Sequence, residues 1–176
     1  AVHMLAPELA QWDRVWERAP VDALVLPFFS DERPLRGASG LADWRLCGRL
    51  SQLRKTNRIK GERGEVLLLP PAKGRLPLGR LFLFGLGASP GFDEARYRSA
   101  IRGLAEVLAK AKMTSYALQQ PGRALGLIAA RRALELWLDE VVGDLAPTHV
   151  TFIETPGAQK EIAPALRNQS ADDAEA

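Results

Sequence analysis

The sequence has 176 residues, of which 47% are hydrophobic and 26% are charged, and its net charge is +3. This size and balance predict one globular domain, and they exclude a chain dominated by charge or by apolar residues. No apolar run reaches the ~20 residues of a membrane helix, and a single cysteine cannot form an internal disulfide, so we expect a protein of the cytoplasm with no membrane contact.

The first residues contain two separate features. Ala-Val-His before Met4 resembles the remnant of an expression tag, so we leave residues 1–4 outside the fold. Apolar residues then repeat at helical spacing, which predicts a helix over residues 5–18 with Trp12 and Trp16 on one face. We expect the two tryptophans to pack on the sheet, and the alternative is that they anchor a protein partner.

The rest of the chain alternates between strand and helix patterns. Strands are predicted at residues 21–29, 65–69, 81–84, 115–118 and 149–154, and helices at 42–55, 92–112 and 124–142. This order predicts a three-layer α/β/α domain over residues 5–155, with a mixed, mostly parallel sheet. Residues 156–176 are rich in Ala, Asp and Glu and show no period, so we expect a mobile tail there.

The clearest local signal is the segment RLFLFGLGASPG at residues 80–91. Its apolar run predicts a strand buried on both faces, and the glycines that follow allow a sharp turn into a helix. Gly85, Gly87 and Gly91 have a spacing one residue longer than the dinucleotide fingerprint, and the next strand ends in Gln119 and Gln120, where that fingerprint needs an acid. We interpret the three glycines as a turn, with anion binding by the amides before the helix as the alternative.

No catalytic or metal-binding constellation is recognisable. The histidines are His3 and His149, and no group of His, Cys, Asp and Glu has the spacing of metal ligands. Cys47 lies beside a leucine stripe, which predicts a buried structural thiol and not a nucleophile. For Asp31, which follows a strand, we favour a turn-capping role over acid–base catalysis. We therefore predict no catalytic residue, no cofactor and no metal.

Basic residues are concentrated in residues 45–63, where seven stand against one acid. The favoured interpretation is a solvated helix face. The alternative is a patch for anions or nucleic acid, formed by Arg49, Arg54, Lys55 and Arg58. We disfavour nucleic acid because the net charge is modest and no aromatic residues are interleaved on which bases would stack.

Four segments, taken in order, resemble the N-terminal domain of the cytosolic leucine aminopeptidases. They are Asp22-Ala-Leu-Val-Leu, Gly40-Leu-Ala-Asp43, Gly61-Glu-Arg-Gly64-Glu65 and Arg80-Leu-Phe-Leu-Phe-Gly-Leu-Gly87. The resemblance covers residues 21–153 and implies a macro-domain-like fold. In the family, a larger C-terminal domain carries two metal ions and the catalytic lysine and arginine. We expect the chain to stop where that domain would begin, so no family catalytic residue is carried over and no peptidase activity is implied.

The resemblance implies function by association. In the aminopeptidases this domain serves assembly and regulation, and in some bacterial members it helps to contact DNA. We therefore expect a stand-alone, non-catalytic bacterial relative that binds a protein partner or forms a homo-oligomer. Macro-fold kinship raises nucleotide or ADP-ribose binding as the alternative. We disfavour it because the asparagine-rich strand end and triple-glycine loop of the macro domains that bind ADP-ribose do not occur in this sequence.

Overall fold

A mixed sheet lies at the centre of the computed structural model, which describes residues 2–5, 21–70 and 79–175. Its six strands are β1 (Val2–Leu5), β2 (Ala23–Phe28), β3 (Val66–Leu69), β4 (Arg80–Gly85), β5 (Ser115–Leu118) and β6 (His149–Ile153). The α-helices of the described ranges are α1 (Gly37–Arg45), α2 (Arg49–Lys55), α3 (Glu94–Lys110), α4 (Ala130–Glu140) and α5 (Pro156–Glu175), and a 3₁₀ turn spans Gly143–Leu145.

The strands are arranged in the order β1-β6-β5-β2-β4-β3. Every neighbouring pair is parallel except β3, which pairs antiparallel with β4 at one edge of the sheet. The predicted mixed, mostly parallel sheet is therefore confirmed. β2 lies between β4 and β5, and its six residues are all buried, as a strand covered on both faces requires.

Alternate residues along the strands supply two separate cores, because successive side chains point to opposite faces of a sheet. One face packs against α3, α4 and α5, and its strand residues include Val25, Phe82, Phe84, Tyr116 and Phe152. The other face packs against α1 and α2, and its strand residues include Leu24, Leu26, Phe28, Leu81 and Leu83. The domain thus has the predicted three layers, helix on sheet on helix.

One predicted helix is broken in the structure. Residues 42–55 form the end of α1 and all of α2, and α1 already begins at Gly37, five residues before the predicted start of the helix. The break falls at Cys47 and Gly48, whose φ angles of 56° and 79° are left-handed and end the helical path. This conformation also takes Cys47 out of the leucine stripe. Its side chain is exposed, so the prediction of a buried thiol is wrong.

Both ends of the chain differ from the prediction. Residues 2–4, which we left outside the fold, form β1 together with Leu5 and pair with β6, so Leu5 belongs to a strand and not to the predicted helix. The remainder of the predicted first helix, with Trp12 and Trp16, lies outside the described residues. The expected mobile tail is helix α5. Ala158 and Ile162, four residues apart, enter the core beside α4, and the Ala-rich composition concealed this short apolar stripe.

Candidate functional site

The carboxyl ends of β2, β4, β5 and β6 meet at one edge of the sheet, the usual ligand site of an open α/β fold. In this chain, side chains of the loops hold that edge together. Asp31, after β2, accepts hydrogen bonds from the backbone N of Ser89 at 2.8 Å and from its hydroxyl. These two bonds, the hydroxyl first, lower the pKa of the Asp31 carboxyl. Asp31 therefore ties the loop after β2 to the loop after β4.

The start of α1 is occupied by a side chain that follows β5. Oε1 of Gln119 accepts a hydrogen bond from the backbone N of Ala38 at 2.8 Å. A Cβ atom at Gly37, whose φ is +58°, would lie 2.6 Å from the same oxygen, so a side chain at this position would displace the amide of Gln119. Helix N-termini are general anion-binding sites, and the N-terminus of α1 is thus already occupied by an amide oxygen.

At the same edge of the sheet, a buried ion pair joins the loop after β5 to the residue that follows β6. Arg123 donates two hydrogen bonds to Glu154, at 2.9 and 3.1 Å, and a third to the carbonyl O of Ile128 at 2.8 Å. Both charged side chains are largely withdrawn from solvent. The pair holds residues 121–129 in turns, which explains why α4 begins at Ala130 and not at residue 124 as predicted. Sequence reasoning missed the pair because its members are 31 residues apart.

The glycine turn lies where the sequence predicts it, between β4 and α3. Gly85 and Gly87 receive the segment that precedes β3: a Cβ at Gly85 would be 2.0 Å from the carbonyl O of Glu62, and the N of Gly87 donates to Gly61 at 2.7 Å. Arg96 donates to the carbonyl oxygens of residues 86 and 88 at 2.7 and 2.8 Å. Gly91 has a φ of 77°. The turn's polar groups are thus engaged by the chain itself.

One of the four residues of the predicted basic patch, Arg54, does not lie on the surface. Arg54 is buried, and its guanidinium lies 5.1 Å from the Phe28 ring centroid and donates to the carbonyl oxygens of Ser30, at 2.7 Å, and Glu32. Arg54 lies one helical turn after the buried Leu50, so it faces the sheet. We correct its assignment from a surface contact to a clamp on the loop after β2. The other members, Arg49, Lys55 and Arg58, are exposed.

Glu32 is the second buried charge of this loop, and the sequence did not single it out. Its side chain is 5% exposed, and its Oε2 has no hydrogen-bond partner within the described part of the chain. Burial raises the pKa of Glu32 to about 7, while Arg54 and Arg36 act in the opposite direction. A buried carboxyl beside a guanidinium is a feature of functional sites and also of structural networks.

Two clefts that share residues Pro34, Leu35 and Ser51 flank α2. The first, which we call the Glu32 cleft, has a volume of about 460 Å³ and is lined by Glu32, Arg33, Pro34, Leu35, Ser51, Arg54, Lys55 and Asn57. The second is open, about 820 Å³, and includes Trp44. The Trp44 side chain is 63% exposed, and the guanidinium of Arg45 lies 5.6 Å from its ring centroid. An aromatic residue therefore does adjoin the basic segment.

A third concavity, of about 390 Å³, lies between β3, β4 and α3. Its apolar walls come from Val66, Phe84, Leu104 and Val107. Val66 and Leu68, on the edge strand β3, are 39% and 48% exposed. We call this surface the β3 face. Apolar side chains are thus uncovered at this edge of the described sheet.

Metal-ligand clusters and membrane-spanning helices are both absent from the described ranges. Over residues 2–5, 21–70 and 79–175, no three His, Cys, Asp or Glu side chains come together as metal ligands would. Within those ranges, none of the helices combines the length and apolarity needed to span a membrane.

Strand order and layering together define a macrodomain-like α/β domain. A mutant of the Oceanobacillus iheyensis macrodomain aligns with a TM-score of 0.66 at 12% identity, covering 88% of this chain and 84% of that one. The Trypanosoma brucei macrodomain, solved in complex with ADP, aligns with a TM-score of 0.65 at 15% identity, covering 91% and 65%. At such low identity the likeness shows the fold alone.

The sequence comparison then gives the family. The N-terminal domain of the cytosol aminopeptidase family matches residues 25–136, more than half of the chain, so the chain belongs to this family and the predicted resemblance is confirmed. A probable cytosol aminopeptidase of Alkaliphilus metalliredigens is 26% identical over 98 residues, covering 56% of this chain and 19% of that protein. A mutant of tomato leucine aminopeptidase aligns with a TM-score of 0.56 at 16% identity, covering 93% and 34%. The chain thus spans about a fifth of the length of the bacterial relative.

Proposed function

We propose that this chain is a non-catalytic, cytoplasmic module of the cytosol aminopeptidase family that acts by binding protein, and that its first partner is a second copy of itself. The observation that carries the proposal is the exposed apolar surface of the β3 face. Val66 and Leu68 pair in register with Phe84 and Phe82, which belong to the core under α3. The two exposed side chains therefore extend the apolar face of the sheet beyond the cover of that helix.

The free edge of β3 makes a second copy a suitable occupant. Within the described residues β3 pairs only with β4, so its other edge can accept a strand. The four residues of β3 are all aliphatic and include none of the charges or prolines that protect natural edges. If two copies pair antiparallel about a two-fold axis perpendicular to the sheet, Val66 lies opposite Leu68 of the second copy and Leu67 lies opposite its own equivalent, so the strand complements itself with the exposed pair on one face. A specific dimer of this kind buries about 800 Å² per partner.

Light scattering after size exclusion tests this proposal. Wild type is expected to form a dimer, and Leu68→Lys to weaken it at least about tenfold because a lysine would be buried at the pairing edge. The matched control is Leu127→Lys, since Leu127 is 42% exposed but lies in the turns after β5. Trp12→Ala, measured alongside, tests Trp12 and Trp16 as additional anchors, a role for which tryptophan is favoured. A wild type that stays monomeric at its highest soluble concentration would refute self-association.

We propose further that the chain does not hydrolyse peptides. The family match is to the N-terminal domain, and the described residues include no metal-ligand group. Wild type incubated with leucine anilides and manganese or zinc is expected to give no turnover above a mock preparation. Activity that coelutes with the protein through two different chromatographic steps would contradict this proposal.

Nucleotide or nucleic-acid binding is the alternative function, and one observation favours it. Trp44, exposed beside Arg45, offers a stacking surface next to basic residues. The occupied start of α1 and the buried Arg54 count against it. Binding of ADP or of a labelled single strand that Trp44→Ala abolishes would favour this alternative over association. For the single strand, the affinity should also fall steeply with salt.

A further inference from the structure

We infer that the Glu32 cleft is a binding site for a zwitterion, a free α-amino acid with an aliphatic side chain. The inference is independent of self-association, because this cleft is formed by the loop after β2 and by α2, whereas the β3 face involves β3, β4 and α3. Its volume of about 460 Å³ suits a small molecule.

The first support is the unmet hydrogen-bonding capacity of Glu32. This residue lines the cleft, is 5% exposed, and has an oxygen, Oε2, without a partner among the described residues. The neighbouring Arg54 does not satisfy it: the terminal nitrogens of Arg54 donate to the backbone carbonyls of residues 30 and 32, and its Nε makes no hydrogen bond within the described part of the chain. Buried carboxylates in native proteins normally have partners. An ammonium group supplies both the donors and the positive charge that this carboxylate needs.

The second support is the opposite charge on the same cleft. Arg33 and Lys55 line it, and both are exposed. A simple cation would meet these two charges and that of Arg54, and a simple anion would meet the carboxylate of Glu32. A zwitterion satisfies both, with its ammonium on Glu32 and its carboxylate on Arg33 or Lys55.

The remaining walls of the Glu32 cleft indicate the kind of side chain that the ligand carries. Pro34 and Leu35 contribute apolar surface to the cleft, and Ser51 and Asn57 contribute neutral polar groups. Apolar walls with a few placed polar groups are typical of small-molecule sites. This composition favours a short aliphatic side chain over a charged one.

The test uses the whole chain with L-valine as the probe. Calorimetry and changes in amide chemical shifts measure the binding. Wild type is expected to bind L-valine. N-acetyl-L-valine, which lacks the ammonium, and L-valinamide, which lacks the carboxylate, should each bind at least about tenfold more weakly, a loss of about 1.4 kcal/mol. These analogues leave the protein unchanged, so the comparison does not depend on the folding of any variant.

Variants locate the site. Glu32→Gln should weaken L-valine binding by at least about tenfold, whereas Glu62→Gln, an exposed carboxylate outside the cleft, should bind as wild type does. Leu68→Lys should also bind normally, which separates this inference from self-association. The inference is overturned if L-valine does not bind, if either analogue binds equally well, or if folded Glu32→Gln retains full affinity.

Discussion

Replacing Arg123 with methionine is expected to reduce the free energy of unfolding by about 3–5 kcal/mol. The loss arises because Glu154 would remain buried without its partner, and because the carbonyl of Ile128 would lose its donor. Urea denaturation measures the loss. We expect Arg123→Met combined with Glu154→Gln to recover part of it, since the double variant leaves no unpaired charge.

The matched control is an exposed ion pair of similar geometry. Arg132 also donates two hydrogen bonds to one carboxylate, that of Glu94, at 2.7 and 2.8 Å, but both side chains are well exposed. Solvent screens such a pair, so Arg132→Met should leave stability nearly unchanged. Equal losses for Arg123→Met and Arg132→Met would show that burial of the Arg123–Glu154 pair does not determine its contribution.

Glu32→Gln is expected to flatten the dependence of stability on pH. Burial raises the pKa of Glu32 from 4.5 to about 7, against the opposing charges of Arg54 and Arg36 and with the help of Asp31. Between these two values the folded protein holds a proton that the unfolded chain has released. Wild-type stability therefore falls as pH rises through this window, and the loss is complete above it. Above the window the variant should be more stable than wild type by up to about 3 kcal/mol, and below it the two should converge.

Urea denaturation over a series of pH values tests this expectation, with Glu62→Gln as the exposed control. The control should follow the wild-type curve. If Glu32→Gln and wild type instead give parallel curves across the window, the carboxyl of Glu32 titrates at the same pH in the folded and unfolded chains.

The sequence by itself predicted five of the six strands, the mixed and mostly parallel character of the sheet, and the family. Residues 81–84 were placed correctly because a strand covered on both faces is apolar at every position, a pattern that needs no knowledge of its neighbours. Residues 115–118 were also placed correctly, although the buried Ser115 interrupts that pattern. Helix α3 was found for a similar reason: its apolar stripe is local, and Asp93 caps it by accepting from the N of Arg96 at 2.8 Å. The glycine turn between β4 and α3 is also predicted by a local pattern.

Only the tertiary structure decided which polar residues are buried and where helices with a weak sequence pattern, such as α5, lie. From the sequence, Arg54 is predicted to be a surface charge, because the two carbonyl groups that accept its hydrogen bonds lie 22 and 24 residues away. The same holds for Gln119, which meets the start of α1 across 81 residues. Helix α5 depends on the core that receives Ala158 and Ile162. Each of these features is stabilised by groups distant in sequence, and a periodicity of two or 3.6 residues carries no information about such partners.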